Sequence, residues 1–368
     1  MIYIIVLNEG QNKAYKKSYK WYKNRTKQTF EIGGYAGTGK STIVFTLINA
    51  LGLDPSYEVL FMTYVGKATL ALRRNGLNAK TIHSSLYYRT KVIARDDDGN
   101  IIYNENNKPI TKGVFKLKDS LDKHIKLIVV DEWMMINQKI YEDILSFNLP
   151  VMLIGDSGQL PSVFGKPVKS KPDVFLDEVV RQKEGDPILY LAHKARKGEF
   201  IEYNQYGKNC FVVDESILKY KKIYTKPDII LCAKNKTRDK INDIFNYDIK
   251  RKKTNLPIYG DKIVCRKNNY DTLLYDIPLV NGLFGYVVNA HDETFNGKTI
   301  NIDFMPDFMP YEWFSDIPLD YKYFNLNYEE RKNYNSLYAP GNLFEYGYGS
   351  TIHLALVIPV YINLFCIS

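Results

Sequence analysis

Cysteine is scarce in this chain: Cys210, Cys232, Cys265 and Cys366 are the only four in 368 residues, and no two form a CxxC pair. That spacing argues against a disulfide scaffold and a zinc knuckle, and points to a reducing cytoplasm. The five histidines are equally scattered, so no metal cluster is expected from them. Long apolar runs are missing as well. Ile2–Leu7 is too short for a signal-peptide core and follows no basic segment. The stretch Leu354–Ile367 is nearly all apolar, but Pro359 and Asn363 interrupt it. It also falls short of the roughly 20 residues that span a bilayer. Secretion and membrane insertion are set aside. No internal repeat or low-complexity tract stands out.

What is present is ordinary for a folded chain, with 45% apolar and 25% charged residues. The length corresponds to two or three domains. Fifty Lys and Arg against 41 Asp and Glu leave a formal charge of +9, which favours a polyanionic partner. Thirty tyrosines and eighteen phenylalanines serve mainly as core filler.

The first 160 or so residues alternate short apolar runs with helix-like segments, the pattern of a parallel sheet with crossovers. Expected strands are Thr29–Gly33, Glu58–Thr63, Leu127–Asp131 and Val151–Gly155. Ahead of them, lysines 13, 16, 17, 20, 23 and 27 fall on one solvated helical face, with Tyr15, Tyr19 and Tyr22 as the buried stripe. Between Arg89 and Asp119 the turn formers Asp98-Gly99-Asn100 and Asn106-Asn107-Lys108-Pro109 mark an inserted hairpin. A second α/β stretch carries a strand at Asp228–Cys232 and a helix at Thr237–Ile249. Beyond Arg251-Lys252-Lys253, short strands such as Asp261–Arg266 and Phe284–Asn289 predict a small β-barrel insert.

The strongest chemical signal is GGYAGTGKST at 33–42. Gly34, Gly39, Lys40 and Ser41 fit G-x-x-x-x-G-K-[ST], with a strand before and the helical Thr42–Leu51 after. Glycines such as Gly37 and Gly39 let backbone N–H groups, including those near Thr38 and Thr42, curl around a β-phosphate at a helix N-terminus. Lys40 would reach the β- and γ-phosphates, and Ser41 would offer its hydroxyl to Mg²⁺. LIVVDEWMM at 127–135 then delivers two acids at the C-terminal end of an apolar strand, where α/β sheets bind ligands. Asp131 is expected in the Mg²⁺ shell and Glu132 as the base orienting the attacking water. Trp133 and Met134 read as packing. A third apolar run ends in GDSGQLPSV at 155–163, where the Gln159 amide suits a γ-phosphate sensor.

Together these motifs resemble the superfamily-one DNA helicases of the RecD and Dda type, P-loop motors that walk 5′ to 3′ on single-stranded DNA. The resemblance runs from Leu7 to His353. LNEGQ at 7–11 looks like that family's adenine-reading motif, with Gln11 bonding the base. MTYVGKATLALRRNG at 62–76 is similar to the motif in which Thr63 and Lys67 contact DNA phosphates, although Tyr64-Val65 replaces the usual proline-threonine. AKTIHSSL at 79–86 matches the next DNA-contact motif through His83 and Ser84; a lone histidine is more usually a satisfied core residue, but this one stands in an ordered series. FLDEVVRQ at 175–182 resembles the motif whose arginine, here Arg181, reaches the γ-phosphate. EYGYGSTIHL at 345–354 begins a further DNA-contact motif with Thr351 and His353.

The resemblance implies an α/β fold of two RecA-like P-loop domains in tandem. The first spans 1–165 with a hairpin insert at about 89–119, where the family carries its strand-separating pin. The second spans 166–368 with an SH3-like β-barrel insert at about 255–340. It further implies ATP and Mg²⁺ as cofactors, single-stranded DNA and duplex junctions as partners, and a monomer in a bacterial or phage-infected cell serving replication or repair. After Thr351-Ile352-His353 the chain departs from the family, reading LALVIPVYINLFCIS where a Gln-Gly-Ser-acid sequence and a second catalytic arginine would follow. Two functional expectations result: an ATP-driven helicase, or a catalytically impaired ATP- and DNA-binding remnant of one, truncated or frameshifted. A P-loop kinase or transport ATPase is disfavoured, because the GDxxQLP and TIH elements have no task in it.

Overall fold

The computed structural model describes residues 6–35, 37–64, 68–69, 72–73, 75–96, 98–103, 107–156, 168, 171–178, 187–254, 256–275, 277–352 and 364–367. They divide into two compact units, Met1–Val92 with Gly113–Val213 and Ile93–Lys112 with Asp214–Ser368. Among the described residues no helix is long and apolar enough to cross a membrane.

In the first unit the chain forms α1 (Glu9–Asn24), β1 (Thr29–Gly34), α2 (Lys40–Leu51), β2 (Val59–Thr63), β3 (Ala79–Thr81), the short α3 (Ile82–Leu86) and strand β4 (Tyr87–Ile93). It returns as β5 (Thr111–Leu117) and continues through β6 (Leu127–Asp131), α4 (Gln138–Leu145), β7 (Val151–Gly155), β8 (Val174–Leu176) and α5 (Pro187–Lys197). A two-residue pair, β9 (Asn204–Gln205) with β10 (Phe211–Val212), closes the unit. The sheet is parallel, in the order β3-β2-β6-β7-β1-β8. β8 thus joins β1 beyond residue 165.

The runs Leu127–Val130 and Val151–Ile154 are apolar throughout because both faces of this sheet are covered. Alternate residues supply the two sides. Val59, Phe61, Leu127, Val129, Met152 and Ile154 pack toward α1 and α2. Leu60, Met62, Ile128, Val130, Val151 and Leu153 pack on the other face, with Ile82, Ile140 and Ile144. Each such side chain contributes about 1.5–3 kcal/mol of burial.

Helix α1 starts with a capping box: the Asn8 side chain accepts from the Gln11 N–H at 2.8 Å, and Gln11 Oε1 accepts from the Asn8 N–H at 3.1 Å. Its lysines 13, 16, 17, 20 and 23 are exposed as expected, and so is Lys27 beyond its end. The buried stripe is Gln11, Ala14, Ser18, Trp21 and Tyr22, whereas Tyr15 and Tyr19 are only half-buried. Small Ala14 and Ser18 bring the helix close to the core and leave those two rings at its rim.

The second unit holds a parallel trio in which β11 (Ile229–Cys232) lies between β19 (Gly349–Thr351) and β20 (Leu364–Ile367). Part of the apolar stretch near the end of the chain therefore forms a strand, which its lack of periodicity did not announce. Helix α6 (Asn235–Asp243) follows β11 and runs into a π-helical segment, Ile244–Ile249.

The rest is an antiparallel sheet of order β17-β16-β15-β12-β18, from β12 (Lys262–Cys265), β15 (Phe284–His291), β16 (Thr299–Pro306), β17 (Phe314–Asp320) and β18 (Phe344–Tyr346). A hairpin, β13 (Asn269–Leu274) with β14 (Ile277–Leu279), interrupts it. Its core holds Ile263, Ile300, Ile302, Phe304, Phe314 and Phe344.

Buried ions tie this sheet to α6. Arg238 is 2% exposed and meets Asp239 at 2.9 Å and Glu345 at 3.1 Å. Glu345 also meets Arg266 at 3.1 Å and accepts from the Tyr323 hydroxyl at 2.9 Å. Burial alone would raise the Glu345 carboxyl, but Arg266, Arg331 and Arg238 hold it below the ordinary range.

Strands β4 and β5 pair with each other as a two-stranded sheet whose far end branches. Ala94 N–H donates to Ile110 O at 2.8 Å, Ile110 N–H to Ile102 O at 2.8 Å, and Ile102 N–H to Ala94 O at 3.0 Å. Three short ladders meet at these residues, continued by the bridges Arg95–Ile101 and Tyr103–Pro109. Ala94, at the junction, is fully buried.

Candidate nucleotide site

Parallel pairing sets Gly33 beside Gly155 and Ile154 beside Asp131, so β1, β7 and β6 end side by side. This is the carboxyl edge where α/β sheets hold ligands. The chain leaving β1 turns through Gly37 (φ 79°) and Gly39 (φ 82°) into α2, whose N-cap has no side-chain hydrogen bond. The first-turn N–H groups of a twelve-residue helix therefore meet this crevice with their partial positive charge.

Lys40 reaches back along the loop, and its ammonium donates to Gly34 O at 2.7 Å and Tyr35 O at 2.9 Å. Thr38, 1% exposed, donates its hydroxyl to the same Tyr35 oxygen at 2.9 Å. Burial lowers the Lys40 pKa, opposed by Glu132, Asp156 and Asp131. Burial likewise raises the Asp131 carboxyl, against the Glu132 N–H, which donates to it at 3.0 Å, and against Lys40. Glu132 sits in the left-handed region at φ 51°, a conformation costing an ordinary residue about 1–2 kcal/mol. Trp133, directly after it, is 1% exposed and fills the core, with Met134 packed against the same side chains.

Ser41 is exposed and Thr42 half-buried in the first turn of α2. Gln11 reaches the loop from α1: it is 4% exposed, and its Nε2 donates to Thr38 O at 3.0 Å. A cavity of about 420 Å³ lies alongside, lined by Asn8–Gln11, Thr38 and Asp173–Glu178.

The sequence-predicted residues Gln11, Gly34, Gly37, Thr38, Gly39, Lys40, Ser41, Thr42, Asp131 and Glu132 thus gather around one crevice. Thr63 ends β2, in register with Asp131, with its hydroxyl 2.6 Å from that of Thr69. His83 and Ser84 follow β3 on α3. His83 is packed among Phe115 (5.3 Å), Tyr87 (5.7 Å) and Tyr64 (6.2 Å), and burial lowers its pKa. Ser84 is exposed, its hydroxyl donating to Thr81 O at 3.0 Å. Thr351 belongs to the second unit, on β19 beside Cys232. Lys67, Gln159, Arg181 and His353 lie outside the described residues.

Sequence reasoning missed two groups, Asp156 and Arg196. Asp156, 1% exposed, follows Gly155, and Arg196 of α5 meets it at 2.6 Å. The Arg196 guanidinium also lies 4.3 Å from the centre of the Tyr35 ring. Asp156 was visible as the acid ending an apolar strand; Arg196, within AHKARKG, carried no comparable signal.

Comparison with known proteins gives a match of residues 6–214 to the family described as AAA domain. The ATP-dependent DNA helicase dda of Enterobacteria phage T4 is 25% identical over 296 residues, covering 73% of this chain. The chain spans 63% of the length of that relative. Among solved structures, Pif1 helicase from Candida albicans is 14% identical, with 96% of this chain and 86% of that one covered and a TM-score of 0.45. Unliganded Pif1 from Bacteroides sp is also 14% identical, with 99% and 87% covered and a TM-score of 0.38.

Proposed function

This chain belongs to the AAA domain family, and from that premise we propose that it is an ATP-dependent DNA helicase, coupling ATP hydrolysis to movement on single-stranded DNA and to duplex unwinding. The observation carrying the proposal is the seat of Lys40 at the start of α2, in one crevice with Asp131 and Glu132. An ammonium, a helix N-terminus and carboxylates at neighbouring strand ends match a magnesium nucleoside triphosphate. The Dda relative and the ordered DNA-contact motifs favour DNA as the track.

In this reading Lys40 exchanges its two backbone carbonyls for β- and γ-phosphate oxygens. The cavity beside Gln11 takes the base. The residues also suit the metal: the Ser41 hydroxyl and the Asp131 carboxylate are hard oxygen donors, and Mg²⁺ typically takes one or two protein ligands plus phosphates. Ser41 and Asp131 would hold it, and when bound it neutralises charge on the transferring phosphoryl group. Glu132 orients the attacking water and accepts its proton. Gln159 and Arg181 complete the γ-phosphate contacts.

Thr63, Lys67, His83, Ser84, Thr351 and His353 would grip the strand, with binding that weakens as salt rises. The β4–β5 insert exposes Tyr88 and Phe115 and serves as the strand-separating element. The trio around β11 is read as the second RecA-like domain and the antiparallel sheet as its SH3-like insert.

The test is ATP turnover by the full chain with and without single-stranded DNA. Turnover stimulated by DNA and reduced at least a hundredfold in Lys40→Ala is expected. Turnover indifferent to DNA would overturn the helicase reading.

A further inference from the structure

Arg196 sits where the fold brings α5 against the phosphate-facing loop. Its Nη2 donates to Asp156 Oδ2 at 2.6 Å, and its guanidinium lies 4.3 Å from the Tyr35 ring centroid. Asp156 follows Gly155, which pairs with Gly33, so the carboxylate leaves β7 next to the Gly34 and Tyr35 carbonyls that hold Lys40. Tyr35 is fixed on its other sides by Phe175 (5.2 Å) and His193 (5.8 Å), both edge-on. Arg196 therefore touches the loop twice, once through charge and once through a ring.

We propose that Arg196 is a positioning residue of the phosphate site: it neutralises Asp156 and holds Tyr35 so that an incoming triphosphate meets Lys40 rather than a competing carboxylate. The inference rests on the nucleotide reading above and adds a residue outside the motifs that suggested it. The charge balance favours it. Asp131, Glu132 and Asp156 all act on Lys40, so without Arg196 three acids surround one lysine. A polyanion entering such a crevice is repelled; one further cation halves the excess. Arginine suits the post because its planar fork can bond a carboxylate while stacking on an aromatic face.

The experiment titrates a fluorescent, non-hydrolysable ATP analogue with Mg²⁺ onto the full chain. Arg196→Gln is expected to weaken binding about tenfold, the scale of one charge interaction several ångströms away. Arg196→Lys, which keeps the charge but loses the planar fork over Tyr35, should bind between wild type and Arg196→Gln. Arg196→Gln combined with Asp156→Asn should recover to within about threefold, because the carboxylate charge is then gone as well. A merely structural staple would show no such recovery. The proposal is overturned if Arg196→Gln binds like wild type, or if the double variant binds as weakly as Arg196→Gln. Should Arg196→Gln fail to fold, Asp156→Asn alone decides: tighter binding is expected, and unchanged or weaker binding overturns the proposal. A wild-type chain without affinity would overturn the nucleotide reading and this one with it, whereas equal affinity of wild type and Arg196→Gln overturns this one alone.

Discussion

Gly39→Ala should uncouple α1 from the loop between β1 and α2, and the size of the effect follows from two observations. The residue has φ 82°, where an L side chain costs about 1–2 kcal/mol. A Cβ there would also lie 2.3 Å from Gln11 Nε2, closer than any real contact. Gln11 is flexible and would swing away, giving up its bond to Thr38 O and its Oε1 contact with the Asn8 N–H. Two hydrogen bonds at about 0.5–1.5 kcal/mol each add about 1–3 kcal/mol. Reduced freedom of the unfolded chain returns up to about 1 kcal/mol. The expected net loss is about 1–5 kcal/mol. Gln11→Ala alone removes the same two bonds, so the combined variant should be less destabilised than the sum of the singles by about 1–3 kcal/mol. Urea denaturation followed by tryptophan fluorescence reads this, since Trp21 and Trp133 both lie in the first unit's cores. Losses that add to within about 0.5 kcal/mol would refute the steric coupling.

Glu345→Gln should destabilise the second unit by about 3–5 kcal/mol, because Arg238, 2% exposed, then loses a buried counter-charge; a shift in the urea midpoint smaller than about 1 kcal/mol would contradict that role. The half-buried His83 ring resists protonation, so its folded pKa lies below the unfolded value near 6.5. Its contribution to stability is therefore complete above that value and is lost as pH falls through it. The limit is about 1.4 kcal/mol per pH unit, reduced by the ring's partial exposure. His83→Phe should flatten the stability profile between about pH 7 and 5, and an unchanged slope would show that other groups set it.

The loop between β1 and α2 was legible because its pattern is local: glycines, a lysine and a hydroxyl at fixed spacing between an apolar strand and a helix. β6 and β7 were equally legible, since strands buried on both faces read as unbroken apolar runs. The resemblance to superfamily-one helicases of the Dda type, drawn from ordered motifs, is matched by the Dda relative and by the AAA domain. Other features depended on distant residues. β8 is only three residues long and gains its identity from pairing with β1. Arg196 lies forty positions from Asp156, and only the fold brings the two together. Tyr15 and Tyr19 were misjudged because spacing opposite the lysines put them in the buried stripe, whereas the small residues beside them, Ala14 and Ser18, fill it instead.

The branched end of the β4–β5 insert has a mechanical consequence. An ordinary two-stranded ribbon twists easily and frays from its tip one rung at a time. Here Ala94, Ile102 and Ile110 each give one hydrogen bond and receive another within the same ring. Peeling any one arm away breaks two rungs together, so a push on the end is borne as shear by three braced arms. Enlarging Ala94, the fully enclosed hub, would pry all three apart at once.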